Sequence, residues 1–424
     1  MLDIRLIRDN ADAVRDACRR KRIDADVDKI LELDQTLRDQ KTAFDAKKGE
    51  QNKRSKEIGK LPPEERAAAA ASVKALSEEI KELDNAVKDT EAALRPLLMQ
   101  VPNLPSDDVP DGADDTDNVE LRTWGVPTTF DFEPKDHVEL GLSLDILDIE
   151  RATRIAGSRT YFLKNEGALL ELAVLRFALD HMIAKGFSPM LVPHLVRTEA
   201  MEGTAYLPGG EEQAYRTMKD ESWLIGTAEV PLTSYRMGEI LEEAELPLKT
   251  VGLSQCFRRE AGTYGKDTRG LYRIHQFQKV EQVVVCRADE EESLRWHHEI
   301  LANSEEVMQA LGLPYRVVNV CSGDLGRPQI QKFDIETWMP GRDAYGETHS
   351  ASRFHDFQAR RLNIRYRSAD KKPSFCHTLN NTVVASPRVL IPILECYQQK
   401  DGSVVIPEAL RPYMGGQELI EPKA

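Results

Sequence analysis

The chain has 424 residues, a formal charge of −14, 41% hydrophobic and 30% charged residues, which describes a soluble globular protein long enough for two or three domains. No stretch approaches the roughly 20 apolar residues of a membrane span, and the start, MLDIRLIRDNADAV, has neither an apolar core nor a small-residue cleavage site. No membrane association and a cytoplasmic location are therefore expected. Six cysteines (18, 256, 286, 321, 376 and 396) show no C-x-x-C spacing, which argues against a disulfide framework or a thiolate cage, and no zinc is expected.

From Val73 the apolar positions Leu76, Ile80, Leu83, Val87, Leu94 and Leu97, with Thr90 among them, follow three-four spacing, the seam of a coiled coil. Upstream, Ile30, Leu37, Phe44, Gln51 and Ile58 repeat every seven residues. Between the seams, GKLPPEE stops one helix and starts the next, with proline suited to a first turn and acids favourable at a helix N-terminus. The spacing predicts an antiparallel helical hairpin over about 27–100, roughly 50 Å long at 1.5 Å per residue, within an N-terminal domain at 1–105. A spacer or dimerisation rod would fit this pattern. So would an RNA-contact arm, because Lys or Arg stand at 41, 47, 48, 53, 54, 56 and 60 against three acids in the same stretch, a basic tip on an acidic protein.

Residues 101–121 hold three prolines, six aspartates, one glutamate and no basic residue, so a linker or ordered surface crossing is placed at 106–125. From 126 to 424, strand-like runs such as LKTVGLSQCF, QVVVCRA and FDIETWMP mix with helices such as EGALLELAVLRFALDHMIAKG, which ends at Gly186. Irregular and hairpin-like connections predict an α+β domain with a mainly antiparallel sheet flanked by helices. In FRREAGTYGKDTRGLYRIHQFQKVE, residues 257–281, two strand-like arms flank a loop with Gly262, Gly265, Lys266, Asp267, Arg269 and Gly270. Arg258, Arg259, Arg269 and Arg273 lie within sixteen positions and point to an anionic ligand. Neither G-x-G-x-x-G nor a P-loop is present, so a nucleotide would be held some other way.

Strand, loop and strand with F-R-x-E at the start and Phe near the end resembles motif 2 of the class II aminoacyl-tRNA synthetases. TAEVPLT (227–233), FRREAG with DTRGLYRIHQFQKVE, DFQARR (356–361), and TLNN followed by PRVLIPILECYQ together resemble the bacterial seryl-tRNA synthetases over essentially the whole chain. The resemblance implies motif 1 at about 185–195 with Pro193 at a homodimer interface, motif 2 at about 256–281 and motif 3 at about 380–398. It implies ATP contacts from Arg258 at the α-phosphate, Arg259, Glu260 near the adenine, Arg273, Ile274, Phe277 stacked on the adenine, Glu347, Thr348, His349, Ser350 and Arg388. Catalysis would rest on Arg258, Arg388 and Glu347, with Glu347 and Ser350 holding Mg²⁺. Serine would be read by Thr227, Ala228, Glu229, Glu281 and Thr382, and tRNA by Lys47, Lys48, Lys53, Arg54 and Lys56. Two departures stand out: His349 occupies a position that is commonly serine in the family, and Asn381-Thr382 replaces the usual Gly-Ser pair.

The implied reaction is ATP-dependent formation of seryl-adenylate from L-serine, then transfer to the terminal adenosine of tRNA(Ser), with tRNA(Sec) a further candidate acceptor. A ligase loading an amino acid onto a carrier protein would share the catalytic motifs but leave the basic hairpin without a task. A non-enzymatic coiled-coil RNA-binding protein would explain the hairpin and leave the motif arginines unexplained.

Overall fold

Two long helices follow two short ones at the N-terminus. In the computed structural model, which describes residues 1–58, 62–262, 269–368 and 372–423, α1 (Ile4–Asp9), α2 (Ala11–Arg20) and α3 (Val27–Ile58) precede α4 (Pro63–Gln100). Pro63 and the acids Glu64 and Glu65 open α4, where a missing N–H costs nothing and negative charge meets the helix dipole. Leu76, Ile80, Thr90 and Leu94 of the predicted seam are buried, with Val73, Leu83, Val87 and Leu97 half-buried, as period-3.5 packing requires. Across the pair, Lys41 meets Glu91 at 2.7 Å, Lys47 meets Glu79 at 2.6 Å, and Gln51 donates to Ser77 at 2.7 Å. At the other end, Asp34 is buried, forms an ion pair with Arg8 at 2.9 Å and accepts from Arg38 at 3.2 Å, fixing α1 on α3. Gly59 and Lys60 of the turn, and Gly265, Lys266 and Asp267 of the motif 2 loop, lie outside the described residues.

The contacts divide the chain into two units, Met1–Pro102 and Asn103–Ala424. The second is built on eight strands: β1 (Val119–Trp124), β2 (Ser188–Leu191), β3 (Leu248–Phe257), β4 (Gln276–Cys286), β5 (Tyr315–Asn319), β6 (Gln331–Met339), β7 (Ala344–His355) and β8 (His377–Ser386). Their order is β1-β5-β6-β7-β8-β4-β3-β2, antiparallel except for the β2–β3 pair at one edge, in accord with the mainly antiparallel sheet predicted from the connections. The acidic segment is an ordered crossing. Asn103 and Ser106 donate backbone N–H groups to Arg327 and Ile330, and Ser322 bonds Asp111, before the chain enters β1 itself.

Helices α5 (Asn165–Ala184), α6 (Glu229–Ser234), α7 (Glu290–Ala310), α8 (Phe357–Leu362) and α9 (Leu390–Cys396) pack against this sheet. The main core joins Leu170, Val174, Ala178 and Met182 of α5 to Val280 and Val284 of β4 and to Ile300, Val307 and Met308 of α7. In the segment assigned to motif 1, Leu195 is exposed and Leu191, on the edge strand, is 91% exposed; Leu169, Leu172 and Ile183 of α5 are also exposed.

Candidate active site

Strand alternation decides which side chains meet. On β4, Phe277, Lys279 and Glu281 are two residues apart and so share a face, and all three line a cavity of about 210 Å³. Asn380 and Thr382 of β8 line the same cavity. Asn381, between them, points the other way and donates to the Ile300 carbonyl at 2.5 Å and to Ser304 at 2.8 Å. A register shift falls between Val280 and Glu281 in the β4–β8 ladder, and another between Ile335 and Glu336 opposite Glu347 on β7. Such bulges re-aim side chains next to sites.

One end of the cavity is cationic. The Arg258 guanidinium lies 5.2 Å from the Phe277 ring centroid and donates to the Gly226 carbonyl at 3.3 Å. Arg388 stacks on Tyr272 at 4.5 Å and donates to the Glu347 carbonyl oxygen at 3.1 Å, with its carboxylate 3.6 Å away. Glu260 takes a left-handed backbone, φ 52°, and its carboxylate meets Arg273 at 3.5 Å. Ile274 is buried in the wall. Arg259 does not join them: it is exposed, and its backbone N–H is bound to the Gln213 carbonyl. The Glu347 side chain is half exposed at the rim of the cavity; partial desolvation would raise its carboxyl, but Arg388, Lys332, Arg258 and Arg273 outweigh this and hold the group below the usual range. Glu347 therefore stays an anion among cations.

Thr348 is buried against Thr337 and the Ile335 carbonyl, at 2.7 and 3.1 Å. The His349 ring bonds Thr348 Oγ1 at 2.8 Å and the Val383 carbonyl at 3.0 Å, and burial lowers it to about 4. It is thus a neutral part of the wall, with both nitrogens engaged. Ser350 stands across the ladder from Asp334, whose carboxyl burial pushes up to about 7 against the pull of Lys332, 3.4 Å away. The Glu347 carboxylate and Ser350 hydroxyl are hard oxygen donors beside a cationic pocket, a set that fits Mg²⁺ shared with phosphate and water.

The other end is a buried polar corner. Glu229 opens α6 with its N–H on the Thr227 hydroxyl at 3.2 Å, while Ala228 packs into the apolar cluster beneath. Tyr206 and Gln358 donate to the two Glu229 carboxylate oxygens at 2.7 and 2.8 Å. Burial raises the Glu229 carboxyl; the Tyr206 hydrogen bond opposes this and the nearby Glu281 adds to it. Lys279 Nζ lies 2.5 Å from Glu281 and 3.4 Å from the Thr382 hydroxyl, which donates to Glu281 at 3.3 Å. Tyr206, Tyr272, Lys279, Lys332, Gln358 and Asn380 were not foreseen. For Lys279 a signal existed, since it stands two residues before Glu281 on one strand; Gln358 is 129 residues from Glu229, beyond any local pattern.

Comparisons with known proteins point to one family. The model of the tRNA synthetase class II core domain (G, H, P, S and T) matches residues 213–397, and that of the seryl-tRNA synthetase N-terminal domain matches residues 1–105. A serine–tRNA ligase of Deinococcus radiodurans is 48% identical over 420 residues, 99% of each chain. The crystal structure of seryl-tRNA synthetase from Pyrococcus horikoshii complexed with ATP superposes with a TM-score of 0.93 at 41% identity, covering 100% of both chains. That of the cytoplasmic serine–tRNA ligase from Naegleria fowleri in complex with AMP gives 0.89 at 35%, over 100% of this chain and 99% of the other. The carrier-protein ligase and the non-enzymatic RNA-binding protein find no support among these matches. With a class II core around the cavity, a seryl-type N-terminal unit and close relatives along its full length, the chain belongs to the seryl-tRNA synthetase family.

Proposed function

We propose that the protein activates L-serine with ATP to give seryl-adenylate and pyrophosphate, then transfers the seryl group to the terminal adenosine of tRNA(Ser), with tRNA(Sec) as a second acceptor to be tested. The observation that carries this reading is one cavity with an arginine–aromatic end, Arg258, Phe277 and Arg388, and a buried carboxylate–hydroxyl end, Glu229, Glu281 and Thr382. The first suits a nucleotide triphosphate and the second an ammonium and a hydroxyl.

In this reading Phe277 stacks on the adenine and Glu260 accepts from it, while Arg258 bridges the α-phosphate and the serine carboxylate. The carboxylate oxygen attacks phosphorus, pyrophosphate leaves, and Arg258 stabilises the charge that builds on the α-phosphate oxygens. Arg273 and Arg388 hold the departing phosphates. Bound Mg²⁺ would neutralise charge on the pyrophosphate, and Glu347 and Ser350 are the residues that would hold it. No enzyme nucleophile is required, so catalysis is positioning and electrostatics.

The exposed apolar edge at Leu191 and Leu195, continuous in sequence with α5, supports homodimerisation through this face. On the hairpin, Lys48, Lys53 and Lys56 are exposed, and Lys47 and Arg54 sit in surface ion pairs with Glu79 and Glu50, a set open to exchange for tRNA phosphates. Among the described residues no helix is long and apolar enough to cross a membrane; charging of tRNA for protein synthesis would take place in the cytoplasm. Serine-dependent exchange of labelled pyrophosphate into ATP, followed by charging of total tRNA, tests the proposal. Stronger exchange with another amino acid would overturn it.

A further inference from the structure

Lys279 is 5% exposed, and an ammonium buried that far loses several kcal/mol of hydration, which a well-packed apolar residue would not. Its place in the wall therefore calls for a use beyond stability. The ammonium has three N–H donors. Two have partners in the corner, Glu281 at 2.5 Å and Thr382 at 3.4 Å, which leaves one for a ligand. Glu281 is acceptor-only, takes the Thr382 proton at 3.3 Å, and keeps further lone pairs. Both groups line the cavity, so a substrate side chain entering this corner meets a charged donor and a charged acceptor side by side.

We propose that Lys279 is a specificity-determining residue whose ammonium donates to the side-chain oxygen of the amino-acid substrate while Glu281 accepts from the same group, so that the pair reads a hydroxyl in both of its hydrogen-bonding roles. A methyl group offers neither role and leaves the third N–H of Lys279 and a lone pair of Glu281 unfilled. A thiol is weak in both. The inference rests on serine as substrate and adds the donor half of the recognition, which Thr382 alone, its proton committed to Glu281, does not supply.

The test is Lys279→Met, which keeps the stem and removes the donors. Pyrophosphate exchange is measured with serine and with alanine, alongside the KM for ATP. The serine kcat/KM should fall about 10- to 100-fold, the worth of a hydrogen bond to a charged group, through the KM for serine, with the KM for ATP unchanged. Alanine never used the bond, so the serine-to-alanine preference should shrink by the same factor. Should the single variant fail to fold, Lys279→Met with Glu281→Gln keeps the corner neutral, and its preference should fall below that of Glu281→Gln alone. Equal losses for serine and alanine would mean a structural role and overturn the assignment, as would an unaltered preference. Failure of the wild-type protein to exchange with serine would instead bring down the serine reading itself.

Discussion

Arg258 and Arg259 are neighbours in sequence, yet one faces the cavity and stacks over Phe277 while the other is exposed. Arg258→Ala should slow serine-dependent exchange by about 10²- to 10³-fold, the scale of losing one preorganised group at a developing charge, with the far-UV circular dichroism unchanged. Arg259→Ala should be far milder in the same assay, and parity between the two variants would refute the distinction. The chemistry of this stretch was legible because four arginines in sixteen positions are a compositional fact. Which of them turns inward was not, because the chain leaves β3 at Phe257 and thereafter has no period that fixes direction. Glu281 is the converse case. It lies inside a strand, and once its face is known the role proposed for it follows. Glu281→Ala should abolish measurable serine activation, with alanine and glycine poor substrates of the intact protein; a competing amino acid used better than serine would refute that role.

Elements explain pairs of residues that the sequence leaves indistinguishable. Asn381 and Thr382 together replace a family Gly-Ser pair, and nothing in their order says which one meets substrate. Alternation on β8 separates them: Thr382 faces Glu281, whereas Asn381 ties the strand to α7 through Ile300 and Ser304. Asn381→Ala should thus lower stability by about 1–3 kcal/mol, the cost of losing buried hydrogen bonds, and leave the KM for serine near its wild-type value. Thr382→Val should do the reverse, raising that KM with little change in the unfolding midpoint. Urea denaturation and exchange kinetics on both variants separate the two effects, and the same ranking in both assays would contradict the assignment. The hairpin was legible to its seam positions because heptads are local. Its register was not, since Gln51 finds Ser77 and Lys47 finds Glu79 only once the two helices are laid together. The polar backing of Glu229 by Tyr206 and Gln358 was hidden for the same reason, each partner arriving on a separate element.

At the scale of the molecule, the residues assigned to adenylate formation all fall within 103–424, and the basic residues assigned to tRNA all fall within 1–102. If the two units have separate tasks, replacing Lys47, Lys48, Lys53, Arg54 and Lys56 together with Ala should leave serine-dependent pyrophosphate exchange close to wild type. The hairpin itself should survive the change. Its seam of Leu76, Ile80 and Leu94 is buried, while the pairs given up, Lys47–Glu79 and Arg54–Glu50, are exposed ion pairs worth about 0–1 kcal/mol. Charging of tRNA(Ser) should fall steeply, chiefly through tRNA affinity. Binding by the wild-type protein should weaken with added salt as phosphate contacts compete with counterions, and the variant should show a flatter salt dependence because fewer phosphates are neutralised. Removing residues 30–95 with a short linker carries the same expectation further: exchange persists and charging collapses. Measured side by side, the two reactions discriminate three cases, because charging lost alone marks an RNA-contact arm, equal loss of both marks a brace for the catalytic fold, and charging retained reduces the hairpin to a spacer.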